Sequence, residues 1–392
     1  MENVFDREER TMKIMILGAD GYLGWPMAAN LSLTKNKIIL VDNYIKRTLF
    51  KKYGKEPLVS LPKLETRCKI LKKYNKNISF VKTDCANTQK FLNLFSRHKP
   101  DVVIHFAELP SAPYSMYSFK EGWKTLDNNL KSTFNLITAV KTYNRKCHII
   151  KLGTMGEYGT PNIDIEEGWL TVKHKGRQQK FLYPRQGSSL YHTSKIMDTD
   201  LLWFYVRTFG LRVTDLMQGP VYGIKINKTL DADQFYPTFA YDDMFGTVLN
   251  RFIVQGIANI PLTVYGSGNQ IRGYLDIKDT IQCINLAIKH PPKPNELKIY
   301  NQFTEQFSVN ALAKKVQSAL KKININASIK KIKNPRVEKE KHYYNAKHSG
   351  MKKLGLKPSL LTDKSIIEIA EYVIKHKNKI NKTIIQPKSS WK

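Results

Sequence analysis

Through the first half of the chain, short apolar runs alternate with longer stretches of helical periodicity. Lys13–Leu17, Ile38–Val41, Ile78–Val81, Val102–Phe106 and His148–Leu152 are rich in β-branched residues and bounded by polar turns. That pattern predicts strands buried on both faces. Between them Met27–Leu33, Thr88–Arg97 and Thr125–Thr142 repeat their apolar residues as helices do. Strands alternating with helices imply a parallel sheet with helices on both faces, the Rossmann-type doubly wound α/β fold. In that architecture ligands sit outside the carboxyl ends of the strands.

The alternation reaches Arg212–Leu216 and then loosens. A helix near Asp243–Gln255, a hairpin around Leu262–Ile277, a helix over Lys278–Lys289 and a strand over Lys298–Gln302 are expected. Residues 12–216 therefore read as a dinucleotide-binding domain. Residues 217–392 read mainly as a smaller, discontinuous substrate-binding domain, with 278–302 returning to the first. No internal repeat is evident. The tract Lys314–Lys333 is lysine-rich but keeps its periodicity, so it reads as a solvated face.

Charge changes the picture only partly. The chain of 392 residues carries a formal charge of +31, which raises nucleic-acid binding as a possibility. The basic residues are scattered, however, and neither zinc-finger spacing nor an aromatic RNA-binding strand accompanies them, so no nucleic-acid partner is expected. Anionic small substrates suit such a surface equally well. Cys68, Cys85, Cys147 and Cys283 lie far apart with no C-x-x-C pair, which argues against a zinc site or a disulfide framework. No apolar run is long enough to span a membrane. The opening MENVFDREERT is charged and partly acidic, unlike a secretory signal or transit peptide. A cytoplasmic protein without a metal is expected.

The first strand leads directly into Gly18-Ala-Asp20-Gly21-Tyr22-Leu23-Gly24. Glycines between a strand and a helix let the backbone approach a pyrophosphate, while the helix N-terminus supplies N–H donors. The second strand ends at Asp42-Asn43, where an acid can accept hydrogen bonds from a ribose 2′-hydroxyl and favour NAD. Asp84-Cys85 closes the third strand near the adenine. The cofactor set expected on this reading is completed by Arg47, Ala107, Asn129, Leu152 and Val221.

Tyr191-His192-Thr-Ser-Lys195 places a phenol and an ammonium one helical turn apart. A tyrosine with an ordinary pKa near 10 is a poor base. A neighbouring cation favours its phenolate and brings it into working range. After a glycine loop and a fifth strand ending Gly153-Thr154, the pair reads as a dehydrogenase dyad, with Thr154 sharing a hydrogen bond with the reacting oxygen. Ser188 and Ser189 either cap the dyad helix, the favoured reading, or touch substrate. His192, on another side of that helix, is either a structural hydrogen-bonder or a proton shuttle.

Longer strings carry a resemblance. SAPYSM (Ser111–Met116), KLGTMGEYGTPNIDIEEG (Lys151–Gly168), YHTSK, LTVYG, RGYLDIKDT (Arg272–Thr280), NQFTEQFSVN (Asn301–Asn310), NPRVEKEKHYYNAKH (Asn334–His348) and the closing Ser390-Trp391-Lys392 span nearly the whole chain. On them the chain resembles the UDP-sulfoquinovose synthases, extended short-chain dehydrogenases with the glycine spacing G-x-x-G-x-x-G. The resemblance implies tightly held NAD, UDP-glucose and sulfite as substrates, and a homodimer built on paired helices. It also implies a reaction in which Tyr191, Lys195 and Thr154 oxidise C4. Water then leaves across C5–C6, sulfite adds at C6, and C4 is reduced again. Sugar-nucleotide dehydratases of this fold carry Thr-Asp-Glu at the fifth strand's end. Here Thr154-Met155-Gly156-Glu157 stands there, and Met155 and Gly156 cannot move protons. Glu157 and His192 are then the candidates for the C5 proton. For the nucleotide, Arg272 and Arg336 suit bidentate clamping of a diphosphate. Ser111, Tyr114, Gln218, Gly219, Arg251, Thr263, Tyr265, Gln270, Asn301 and Gln302 complete the expected sugar-nucleotide set. Two positions depart from the family: Pro110 where an arginine is usual, and Met217 where an asparagine is usual.

A UDP-sugar 4-epimerase of the same fold is the nearest alternative. A non-catalytic NAD-binding regulator or RNA-binding protein is the alternative of another class, and it would have no need of the Tyr–Thr–Lys set.

Overall fold

The computed structural model describes residues 11–336 and 343–386. The opening residues 1–10, part of the NPRVEKEKHYYNAKH string and the closing Ser390–Lys392 lie outside the described residues.

One seven-stranded sheet organises the chain. Its strands are β1 (Lys13–Leu17), β2 (Lys37–Asp42), β3 (Ile78–Lys82), β4 (Val102–His105), β5 (His148–Thr154), β6 (Arg212–Gln218) and β7 (Glu296–Gln302). Their spatial order is β7-β6-β5-β4-β1-β2-β3, and every neighbouring pair is parallel. The order reverses beside β1, so a crevice opens between the carboxyl ends of β1 and β4. Side chains from the two faces of the sheet enter separate apolar clusters. Ile14, Ile16, Ile38 and Leu40 pack on one side and Met15, Leu17, Ile39 and Val41 on the other. That is why these strands read as unbroken apolar runs.

Helix Gly24–Leu31 starts earlier than its apolar periodicity suggests, because it grows directly out of the glycine loop. Helices Phe119–Tyr143 and Leu190–Phe209 pack against each other on one face. Ser189 caps the second by accepting a hydrogen bond from the His192 N–H. β7 does return to the main sheet, pairing with β6 from Glu296 to Gln302.

The expected hairpin at Leu262–Ile277 is not formed. Leu262–Tyr265 pairs in parallel with Ile329–Ile332, whereas Ile271–Asp276 pairs with Glu305–Ser308 and Val221–Tyr222. The linking segment turns through Gly266 and Gly268, both at positive φ, and sends the two strands into different sheets. The helix expected over Asp243–Gln255 is Val248–Ile257, capped by Thr247. Upstream, Asp242 accepts hydrogen bonds from the Met244 and Phe245 N–H groups, which holds that stretch in a turn. A third apolar cluster joins these parts, with Phe252, Ile253, Leu312, Val316, Ile369 and Val373 at its centre.

Candidate active site

A cavity of about 510 Å³ runs along the carboxyl ends of the strands. Its first end is made by Gly18, Asp20, Gly21, Tyr22, Leu23, Gly24, Asp42, Asn43, Asp84, Cys85, Ala107, Leu152 and Val221. Gly18 and Gly24 leave no room for a side chain. Gly18 has φ +80°, and a Cβ on it would lie 2.6 Å from the Phe106 carbonyl carbon. A Cβ on Gly24 would lie 2.2 Å from the Gly18 oxygen. Without Cβ atoms at Gly18 and Gly24 the loop packs tightly on the backbone around it, and bare backbone borders the cavity, which suits the close approach of a diphosphate. At the end of β2, Asp42 accepts hydrogen bonds from the Asp20 N–H at 2.9 Å and the Tyr44 N–H at 2.6 Å. Burial, and then the nearby Asp20, push its carboxyl up to about 6. Asp20 is itself gripped by Arg47, at 2.6 and 2.8 Å, and by the buried Arg67.

The structure does not bring every expected cofactor residue to the wall. Arg47 is turned onto Asp20 and onto the carbonyls of Leu61 and Pro62. Asn129 stands behind the wall, accepting from the Leu109 N–H and donating to the Ser194 hydroxyl. Lys195 is 1% exposed and does not line the cavity.

At the middle of the cavity Thr154 and Tyr191 meet. Thr154 ends β5, where its hydroxyl oxygen accepts from the Gly156 N–H at 3.1 Å while its own N–H donates to Glu157 at 3.1 Å. This reciprocal capping fixes the rotamer of Thr154 at the cavity wall. Burial above all, then the Glu108 and Glu157 carboxylates, push the Tyr191 phenol far up from its ordinary range. Lys195 is pulled down by burial, but Glu108 and Asp198 outweigh that and hold it above its usual value.

Glu157 is turned away from the cavity into a fully buried network. Lys151 reaches Glu157 at 3.3 Å, Asp215 at 3.1 Å and Thr199 at 2.6 Å. Burial raises the Glu157 carboxyl, against the pull of Lys151. His192 is half-buried, does not line the cavity, and has its Nδ1 3.0 Å from the Ser188 hydroxyl. Its other ring edge occupies the room beside Gly156, where a Cβ would come within 2.3 Å of Nε2. Burial, then Arg272 and Arg336, lower it to about 4, so the ring is neutral near pH 7. Thus Gly156, at the place of the dehydratase glutamate, makes room for an imidazole.

The far end is lined by Ser111, Gln218, Gly219, Arg251, Tyr265, Gln270, Arg272 and Arg336. Arg251 donates to the Tyr265 hydroxyl at 2.7 Å and to the Thr263 carbonyl at 3.2 Å. Burial lowers Arg272, and lowers Arg336 to about 10 with Arg251 and Arg272 repelling it. Three guanidinium groups converging on one buried space favour an anionic occupant. Tyr114, Thr263, Asn301 and Gln302 are buried behind this wall. Tyr114 packs with Tyr53 and Phe245, the Thr263 hydroxyl accepts from Gln255, and Asn301 links Tyr158 to the Lys347 carbonyl. Pro110 lines the cavity, whereas Met217 is fully buried in the sheet.

Sequence reasoning missed Glu108, which lines the cavity beside the dyad, and the Lys151–Asp215 pair beneath it. Glu108 lies just beyond β4, where the doubly wound fold places ligands, and that position was the available signal.

Comparison with known proteins agrees with this geometry. Residues 14–301 match the model of the NAD dependent epimerase/dehydratase family. The chain is 43% identical over 97% of its length to UDP-sulfoquinovose synthase, chloroplastic, of Spinacia oleracea, covering 79% of that protein. It is 38% identical over 97% of its length to UDP-sulfoquinovose synthase of Sulfolobus acidocaldarius, covering 98% of that protein. The chain belongs to the UDP-sulfoquinovose synthase family. Among solved structures, UDP-glucose 4-epimerase from Bifidobacterium longum, in complex with NAD+ and UDP, aligns with a TM-score of 0.70 at 20% identity. That alignment covers 94% of this chain and 100% of the other, and at such identity it shows the shared fold.

Proposed function

We propose that the chain converts UDP-glucose and sulfite into UDP-sulfoquinovose and water, with NAD as its resident cofactor. The observation that carries this reading is the Thr154–Tyr191 pair in one cavity between a glycine cradle and an arginine cluster. The cradle residues Gly18, Gly21 and Gly24 would hold the NAD diphosphate and Asp42 the adenosine ribose. Arg251, Arg272 and Arg336 would hold the UDP diphosphate, leaving the hexose beside Tyr191. NAD, when bound, supplies the hydride acceptor at C4 and later the donor.

Tyr191 takes the proton of the 4-hydroxyl, and Thr154 holds that oxygen in line. The C4 ketone acidifies the C5 proton, the C6 hydroxyl leaves as water, and an enone remains. Sulfite sulfur bonds to C6, C5 regains a proton, and Tyr191 returns its proton as C4 becomes an alcohol again. No net oxidation occurs. For the C5 proton, Glu157 is committed to the buried network and His192, though neutral, stands behind Gly156 outside the cavity wall, so the imidazole would have to act through the space beside Gly156.

Two further features belong to this reading. Helix Phe119–Tyr143 exposes Phe119, Trp123 and Phe134, and the adjoining helix Leu190–Phe209 exposes Met197 and Phe204. An apolar face of that size on paired helices suits a homodimer. Among the described residues no helix is long and apolar enough to cross a membrane, and the four cysteines are buried and unpaired, which suits a cytoplasmic setting.

The test is to incubate the purified protein with UDP-glucose and sulfite and weigh the nucleotide sugar by mass spectrometry. A sulfonated product is expected. A product of unchanged mass with galactose configuration would replace this reading with the epimerase.

A further inference from the structure

The ammonium of Lys195 is not left to act on Tyr191 alone. Both Glu108 carboxylate oxygens accept hydrogen bonds from Lys195 Nζ, and an Asp198 oxygen lies 3.8 Å away. Glu108 comes from a different part of the fold, the stretch after β4, and it lines the cavity whereas Lys195 does not. His105 Nε2 backs the carboxylate at 3.6 Å. Burial lowers this histidine to about 3, so it is neutral and leaves the charge of Glu108 to Lys195.

We propose that Glu108 is a positioning residue of the dyad: it fixes the Lys195 ammonium and balances its charge. Tyr191 then keeps its proton until a further positive charge enters the cavity. The proposal rests on the dyad reading above. Other charges act on Tyr191 from the neighbouring elements: Glu157 from the turn after β5, Lys151 from β5, and Asp198 from its own helix. His192, next to it, is neutral. Carboxylates therefore offset cations around the phenol, and Glu108 is the one that also borders the cavity. A resting phenol suits a reaction that lends a proton to the base and takes it back in each turnover.

Glu108→Gln keeps the size and a carbonyl acceptor for Lys195 while removing the charge. Glu108 is the carboxylate that raises the phenol most, so removing its charge should lower the Tyr191 titration by about one pH unit or more. Tyrosinate ultraviolet absorbance of the NAD-loaded protein, in which the added positive charge brings the phenol into range, reads this without substrate, with the same variant carrying Tyr191→Phe subtracted to isolate one group. The acidic limb of the turnover profile should move down with it. Glu108→Asp, which keeps the charge on a shorter arm, should give a smaller shift, and it serves as the test if Glu108→Gln does not fold. A Tyr191 titration that superimposes on the parent's in a folded variant overturns the proposal. Full turnover in Tyr191→Phe alone would instead sink the dyad reading, so the two failures are distinguishable.

Discussion

At the cofactor end of the cavity Asp20 is held by Arg47 and Arg67, and Asp42 by two backbone N–H groups. At the far end Arg251, Arg272 and Arg336 crowd together, and the like charges repel one another. The first end has its charge balanced within the protein and its shape set by glycine backbone. It is preorganised, and shape is its means of recognition. The second end concentrates positive charge, and an anion would stabilise it on arrival. Between them lies the dyad, with carboxylates and cations closely matched. A change at one end should therefore impair one ligand and spare the other.

The largest separation of this kind is expected from Gly24→Ala, whose Cβ would press on the Gly18 carbonyl at 2.2 Å. NAD affinity should fall by about 100-fold, ~3 kcal/mol, while UDP binding measured by calorimetry changes little. Equal loss of both ligands would show that the two ends are not independent.

Arg272→Lys is next in size. It retains charge but loses the planar fork, so UDP should bind about tenfold more weakly, ~1.4 kcal/mol, with NAD content unchanged. An unaltered UDP affinity would remove Arg272 from the anion site.

The smallest effect is in pH. Asp42 has a folded-state carboxyl raised to about 6, above its unfolded value of about 3.9. Its protonated form is thus favoured by the fold. The ligand-free protein should lose stability as pH climbs through that window, whereas NAD affinity, which needs the carboxylate as acceptor, should rise by about fivefold. Asp42→Asn should flatten both curves. Melting temperatures and NAD titrations across that range, compared between the two proteins, measure it.

The cofactor end was legible in the chain because it is local. A strand, a glycine loop, a helix and an acid at the next strand's end all fall between Lys13 and Asp42. Tyr191 and Lys195 were legible for the same reason, being one turn apart. The far end draws Arg251, Tyr265, Arg272 and Arg336 from separate segments, and no local pattern links them; Tyr265, Arg272 and Arg336 stood out through the family-like strings around them. The hairpin error has a related cause. Leu262–Tyr265 and Ile271–Asp276 alternate like partners, but their actual partners lie at Ile329–Ile332, Glu305–Ser308 and Val221–Tyr222, and adjacency in sequence does not encode such pairings. Glu108 escaped notice as a single acid in an irregular stretch, and Glu157 looked available because nothing in the sequence places Lys151 and Asp215 against it.

One isotope experiment bears on the central claim, that a single cavity both removes hydrogen from C4 of the hexose and restores it. UDP-glucose carrying deuterium at C4 is turned over with sulfite, and the sulfonated product is examined by mass spectrometry and NMR. The account predicts that the deuterium is retained at C4. A sulfonated product with ordinary hydrogen at C4 would contradict it.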